Sequence, residues 1–460
     1  MFNLDVSFKR ILKNFAANVF GQGMSAFYQI VSIPLFLHYW STQMYGEWIV
    51  MFTIPSLLWS LEGGLAAVAS NRMTVASASG NWEFVNVIYQ NVLFAQGVLA
   101  VLLMSLTLLV TSTVDLQHYF KFTQISATNT SIILVLLMIY MLSGFYMSLF
   151  RAAYRASEME ARGIMANNFW KLTDFGVCVL VLVTHHHPLF FAVTSTGVAF
   201  LWAFLIYADV RRTCPRVEFG IGRATWHQTK QIMVDGFPLL AGQAGTAFFL
   251  QGYPLVINQV LGAPAVVAFA TVRTVTRMII QLIWIISGSS GPEVARSYGR
   301  QDWQTYLRLL KIILASALWG GVATLLLLST LGPWVIELWT SGKVTMGHFP
   351  LFLFSISIAL QGLWGVGSGI LVCSNMHHLF NYLYLGITLC ALLLARLALP
   401  VWGFEAVPGV MVIQDAVLMI IVVMLCRSKL SHITFSDLYP VFTFDFYWSK
   451  IRSLLNRSRA

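Results

Sequence analysis

Two arginines, Arg273 and Arg277, interrupt the otherwise apolar run 272–281. Four residues apart, they stack on one face of a helix, and Gln281, Trp284 and Gly288 continue the line. A guanidinium cannot discharge by losing a proton, and its planar fork matches a pair of phosphate oxygens. Counted at about 1.5 Å per residue from Ala265, Arg273 lies about 12 Å and Arg277 about 18 Å into a layer about 30 Å thick. An arginine at that depth costs at least about 2.5–3.5 kcal/mol unless water, an anion or a carboxylate meets it. A substrate pyrophosphate satisfies both charges. A salt bridge to Glu62, Asp174 or Asp415 does so equally well.

The remaining chemistry-bearing residues are fewer. Lys171 and Asp174 stand three apart in one apolar segment, close enough to neutralise each other or to serve substrate and coupling ion separately. Glu62, beside the pair Gly63-Gly64, is a lone carboxylate whose burial would raise its proton affinity, so it suits either a coupling proton or an arginine partner. Gln22, in the Gly-Gln pair of the first apolar segment, joins Arg273, Arg277, Lys171 and Gln281 as a substrate-side candidate, while Glu62, Asp174 and Asp415 are the coupling or ion-pair candidates. Arg396 sits near a segment end, where it can snorkel. The run His185-His186-His187 scatters its side chains around the backbone and reads as a turn; no metal or other cofactor is expected, and the five cysteines lack C-x-x-C spacing. There is no nucleotide-binding glycine loop, no serine–histidine–aspartate set and no H-E-x-x-H, so no catalytic residues are assigned and an enzyme is disfavoured. A membrane glycosyltransferase or polymerase would carry large outer loops with catalytic carboxylates, and the outer loops here are short.

The elements that must hold these residues are membrane helices. Of 460 residues, 58% are hydrophobic and 10% charged, and the mean hydropathy is +0.73. No water-soluble core absorbs that much apolar surface. Long apolar runs without period-two alternation select helices rather than a barrel. Twelve spans are expected, near 15–39, 48–70, 85–110, 130–150, 165–183 and 189–208, then 233–260, 265–288, 307–330, 349–373, 382–400 and 408–426. With both termini cytoplasmic, only Lys121 and Lys343 of the 28 Lys and Arg fall on the outer side, and Lys171, Arg273, Arg277 and Arg396 fall within spans. Every other one lies inside, as the positive-inside rule demands. The formal charge of +10 is therefore a topology signal rather than a nucleic-acid surface.

The chain also repeats itself. Gly21-Gln22 and Pro34-Leu35 answer Gly242-Gln243 and Pro254-Leu255, and Gly80-Asn81-Trp82 answers the stretch from Gly299 to Trp303, all at offsets of about 220 residues. Six spans per unit is an even number, so the halves insert with the same orientation. The expected architecture is an all-α integral membrane protein of two six-helix lobes, 1–215 and 216–430, with a cytoplasmic basic or interfacial tail at 431–460. Two such lobes around a central cleft suit alternating access.

These residues resemble a known family. Asn14 through Gly21 to Pro34, Tyr45-Gly46-Glu47-Trp48, Leu61-Glu62-Gly63-Gly64-Leu65 followed by Asn71, and Phe269 through Arg273, Arg277, Gln281, Pro292-Glu293 and Gly299 together resemble the polysaccharide flippases of the MOP superfamily, of the Wzx O-antigen translocase type. Family members often carry aspartate where Glu62 stands. The resemblance implies a multi-pass protein of the bacterial inner membrane that moves an undecaprenyl-pyrophosphate-linked oligosaccharide from the cytoplasmic to the periplasmic leaflet, in lipopolysaccharide assembly. It further implies a proton or sodium ion as coupling ion, and a polysaccharide polymerase and a chain-length regulator as partners. The alternative is a proton- or sodium-coupled multidrug exporter of the same superfamily, which calls for an acidic rather than a basic midplane.

Overall fold

The computed structural model describes residues 4–60, 63–184, 187–373, 376–429 and 441. All its regular elements are helical: α1 (Leu4–Tyr39), α2 (Thr42–Ser60), α3 (Gly63–Ala78), α4 (Trp82–Thr113), α5 (Leu116–Phe120), α6 (Ala127–Ala156) and α7 (Glu160–Thr184) come first. There follow α8 (Pro188–Thr213), α9 (Trp226–Leu261), α10 (Ala263–Gly299), α11 (Trp303–Trp339), α12 (His348–Cys373), α13 (His378–Trp402), a 3-10 turn (Gly403–Glu405) and α14 (Ala406–Lys429). Seven described segments are long and apolar enough to cross a membrane, namely α4, α6, α7, α8, α11, most of α12 (His348–Val372) and the stretch His378–Ser428 that holds α13 and α14. The span expected at 48–70 takes in α2 and α3. Glu62, His185, His186 and, apart from Val441, the expected tail at 431–460 lie outside the described residues.

Packing divides the chain into two compact units, residues 1–269 and 270–460. In the first, α6 is the central helix, packed against α2, α3, α4 and α8, while α1 lies along α7. Its core includes Tyr89, Met147, Phe150 and Tyr154, and Phe219 of the α8–α9 connection packs on it. Helix α9 belongs to this unit through contacts with α2, α3 and α4. In the second unit α12 is sandwiched between α11 and α14, and α13 packs on α14. Tyr306, Leu310 and Ile313 form one core there, Trp364, Tyr384 and Leu418 another.

Two turns show the sequence repeat in atomic detail. Before α4, Gly80 adopts a left-handed φ of 76°, and the Asn81 side chain accepts a hydrogen bond from the Phe84 amide. Before α11, Gln301 adopts φ 57°, and Asp302 accepts from the Thr305 amide. The cap residues have nearly the same backbone, φ −83° and ψ 74° against φ −81° and ψ 80°. Asn81 N–H bonds the Ala76 carbonyl, and Asp302 N–H bonds the Ser297 carbonyl. Side-chain capping of a free helix amide explains why Asn and Asp occupy the two positions. The equivalence pairs Gly80 with Gln301 and Trp82 with Trp303. It corrects the sequence alignment of Gly80 with Gly299: the left-handed residue, not the glycine, is what the two turns share.

The connection from α8 to α9 is bound rather than loose. Three buried amide side chains on α4 hold it. Asn86 donates to the Arg216 carbonyl and accepts from the Glu218 amide. Gln90 donates to the Glu218 carbonyl and accepts from the Arg223 amide. Asn91 accepts from the Thr225 amide and the Thr229 hydroxyl and donates to Gln228. Carboxamides suit this task because each offers donors and acceptors together.

Candidate functional site

Helix α1 meets α7 at a close seam. A Cβ on Gly21 would stand 2.5 Å from Asn168 Oδ1, so a larger residue there would displace the Asn168 side chain. Asn168 is buried, and its Nδ2 donates to the Ala17 carbonyl at 2.9 Å. The seam sets the register for the polar residues beside it. Gln22, next along α1, is exposed. Lys171 is also exposed, and its Nζ stands 3.4 Å from Ser25 Oγ, to which it donates. One turn further along α7, Asp174 Oδ2 accepts from the Tyr140 hydroxyl of α6 at 3.2 Å, and Oδ1 is buried with Ser195 as a neighbour. The structure thus brings Gln22 and Lys171 onto one polar wall, with Asp174 at its end.

Helix α10 carries the arginines. Val272, Thr276 and Ile280 form its buried line. Arg273, Arg277 and Gln281 form the adjacent line one residue round, with Arg273 and Gln281 half-buried and Arg277 exposed. The Thr276 hydroxyl turns back onto the Arg273 carbonyl at 2.9 Å, so it satisfies its own helix rather than the guanidinium. At membrane depth an exposed guanidinium requires water or an anion.

Asp415 is placed differently. It is fully buried on α14; Ser357 of α12 donates to Oδ2, and the Trp364 indole donates to Oδ1 at 2.9 Å. Next to it, Gln414 Nε2 donates to Thr388 Oγ1 of α13 at 3.0 Å. Gln414 and Asp415 together pin α14 to both neighbours through neutral partners.

One buried acid was not singled out as a site by sequence. Glu47, at the start of α2, is fully buried and accepts from the backbone amides of Thr123, Gln124 and Ile125 at 2.7, 3.1 and 3.0 Å, and from Gln43 Nε2 at 2.8 Å. Three amides aimed at one carboxylate make an anion nest. The neighbouring Gly46 would set a Cβ 2.2 Å from the Ala263 carbonyl oxygen. Asn258 Nδ2 donates to the Phe120 carbonyl, Lys121 Nζ to the Gln259 carbonyl, and Gln259 Nε2 to the Tyr119 hydroxyl. This end of α2, α5 and α9 is therefore stitched shut. Apart from the Gln43 bond, its partners lie 76 to 140 residues apart, so little in the local sequence signals it.

His377, in the turn before α13, stacks on His378, the first residue of that helix, with ring centroids 4.7 Å apart. Burial, and then the neighbouring ring, hold His377 below the usual histidine range.

With a polar wall on α1 and α7 and an arginine line on α10 in place, the fold can be compared with solved structures. An inward-facing multidrug resistance MATE transporter of the MOP superfamily matches with TM-score 0.70 and 14% identity, over 88% of this chain and 98% of the other. This chain has a MATE-like transporter fold. The MATE multidrug transporter DinF-BH, solved as a complex, matches with TM-score 0.67 and 14% identity, over 92% and 95% of the two chains. The lipid II flippase MurJ, in an inward closed conformation, matches with TM-score 0.67 and 12% identity, over 94% and 90%. No family model matches the chain. No curated protein matches it either. The MATE-like fold is thus common to multidrug transporters and to a lipid II flippase.

Proposed function

We propose that this protein is a flippase that moves undecaprenyl-pyrophosphate-linked oligosaccharide from the cytoplasmic to the periplasmic leaflet of a bacterial inner membrane, by ion-coupled alternating access of its two halves. One observation carries the reading: Arg273 and Arg277 stand on one line of α10, with Arg277 exposed, and at the depth expected from the sequence such permanent positive charge needs an anion or water. Pyrophosphate is the anion that two guanidinium forks recognise best. Lys171, exposed beside Ser25, adds a third cation for acidic sugars or phosphate. Asp174, held by Tyr140, is the described carboxylate placed to carry a coupling proton, whereas the neutral donors around Asp415 fit a role in packing.

The test replaces both arginines. The Arg273→Gln/Arg277→Gln double variant, present in the membrane at the wild-type level, is expected to lose at least tenfold in the rate at which lipid-linked oligosaccharide reaches the outer leaflet. Full activity in that variant rejects the cationic site. A second reading is favoured by Asp174 and by the multidrug descriptions of the MATE neighbours: a proton- or sodium-coupled exporter of organic cations. It predicts that a deletion strain becomes hypersensitive to lipophilic cationic dyes, which the flippase reading does not.

A further inference from the structure

Helix α1 has three faces. One packs on α7, through Gly21 against Asn168, the Ala17 carbonyl bonded by Asn168, and Tyr28 against Phe175 with ring centroids 5.3 Å apart. A second is apolar and exposed: Val19, Phe20 and Ile30 are 54%, 41% and 44% exposed, a surface that belongs against lipid tails, with Phe27 at its border, edge-on to Phe175 of α7. The third is polar. Asn14, Asn18, Gln22, Ser25, Gln29 and Ser32 recur three and four apart, and at about 100° per residue they fall within roughly 80° of one another. Ser25, in the middle of the stripe, meets Lys171 of α7, and Asn18 and Gln22 are exposed beside that contact.

The stripe's chemistry is narrow. It holds no titratable group. Asn18 and Gln22 are exposed, while Asn14 Oδ1 and Gln29 Oε1 are buried without a hydrogen-bond partner. Asn18 Nδ2 turns back onto the Asn14 carbonyl at 2.9 Å. Each carboxamide offers two donors and an acceptor oxygen, the complement of a run of hydroxyl groups, each of which donates once and accepts twice. A phosphate would demand cations or N–H groups alone, and an organic cation would demand carboxylates or aromatic faces. At the stripe's middle a cation joins it, where Lys171 reaches Ser25.

We propose that the α1 stripe is a saccharide-binding wall, in which Asn18, Gln22 and Ser25 hydrogen-bond the hydroxyl groups of a carbohydrate while Lys171 receives an acidic substituent on it. This rests on the flippase reading and deepens it. The stripe is assigned the sugar part of the substrate.

The experiment measures binding to the purified full-length protein in nanodiscs. Its three probes are polyprenyl pyrophosphate, the lipid-linked oligosaccharide extracted from cells that make it, and the oligosaccharide released from that lipid by mild acid. Wild-type protein should bind the lipid-linked oligosaccharide at least tenfold more tightly than the bare polyprenyl pyrophosphate. The Asn18→Leu/Gln22→Leu variant should lose that difference and keep its affinity for polyprenyl pyrophosphate, and Gln22→Asn should retain most of it. Binding of the released oligosaccharide to wild type but not to the double variant would show that the stripe recognises free sugar as well; no binding of it, with the lipid-linked difference intact, would show recognition only of a tethered one. The inference is overturned if the double variant keeps the tenfold difference, or loses affinity for both lipids equally. Wild-type protein that binds none of the three probes rejects the flippase reading itself. Should the leucine variant fail to elute as a single species, Asn18→Ser/Gln22→Ser, which shortens the side chains without adding apolar bulk, makes the same comparison.

Discussion

Asp302 shows what a single capping residue does for its helix. It caps α11 as Asn81 caps α4, but as a carboxylate it titrates. Its hydrogen bonds from Thr305, first the side chain and then the backbone amide, hold it below the usual aspartate range. A group whose proton affinity is lowered by folding contributes stability above its unfolded pKa of about 3.9 and loses it as pH falls through the folded value. The thermal stability of wild type should therefore exceed that of Asp302→Ala at neutral pH, and the gap should close between about pH 4 and the lower folded value. A gap that stays constant down to about pH 2 would show that the cap's charge does nothing. The arginine pair was legible without any structure, because charge inside an apolar run is conspicuous. The α1 stripe was legible only in part. Gln22 stood out as half of a repeated Gly-Gln pair, whereas Asn14, Asn18, Ser25 and Gln29 are individually ordinary, and it takes the packing of α7 and the exposed apolar face to show that the remaining side is polar.

At the scale of elements, the helices were readable from apolar run length and the joints between them were not. Asn86, Gln90 and Asn91 sit four and five residues apart on α4, a spacing that suggests one polar face and nothing more. Their partners in the connection to α9 are 128 or more residues distant. Asn91 is fully buried with bonds to Thr225, Gln228 and Thr229, so truncation strands several buried groups. Each group left unpaired costs about 1–3 kcal/mol. Asn91→Ala should lower thermal stability by at least that amount and expose the 214–225 connection to added protease; unchanged stability and protection would mean that the connection is held by Phe219 and its aromatic neighbours alone. Gly46 makes the matching case at the other end of α9. A side chain there collides with the Ala263 backbone rather than with a movable tip. Gly46→Leu should destabilise by about 1–3 kcal/mol, as overpacking does. It should also make a cysteine placed at Gln259 more reactive to a membrane-impermeant maleimide. Equal labelling with and without Gly46→Leu would show that this seam yields without opening.

For the whole molecule, composition already required lipid as solvent, and the MATE-like fold agrees. What composition could not supply is where compact packing divides. The sequence repeat points to a boundary near 215, and the tightest packing groups α9 with the helices before it, because Asn91 of α4 bonds Gln228 and Thr229 at one end and residues 119–121 bond Asn258 and Gln259 at the other. Duplication is written in sequence, but compactness depends on which faces touch. The charge asymmetry makes the strongest prediction at this scale, since it depends on span number and not on packing. With twelve spans and both termini inside, Lys121 and Lys343 lie outside, and Arg155, Arg223 and Arg300 lie inside. Alkaline phosphatase, active only outside the cytoplasmic membrane, should be active when fused at residue 121 or 343 and inactive when fused at 155, 223 or 300. Green fluorescent protein at the C-terminus should fluoresce. A single odd span would invert every reporter beyond it and move the basic loops to the outer face. Activity at 121 with inactivity at 343 would therefore place the miscount between those positions, and with it the orientation of α10 and of the two arginines that the proposed function needs at the middle of the membrane.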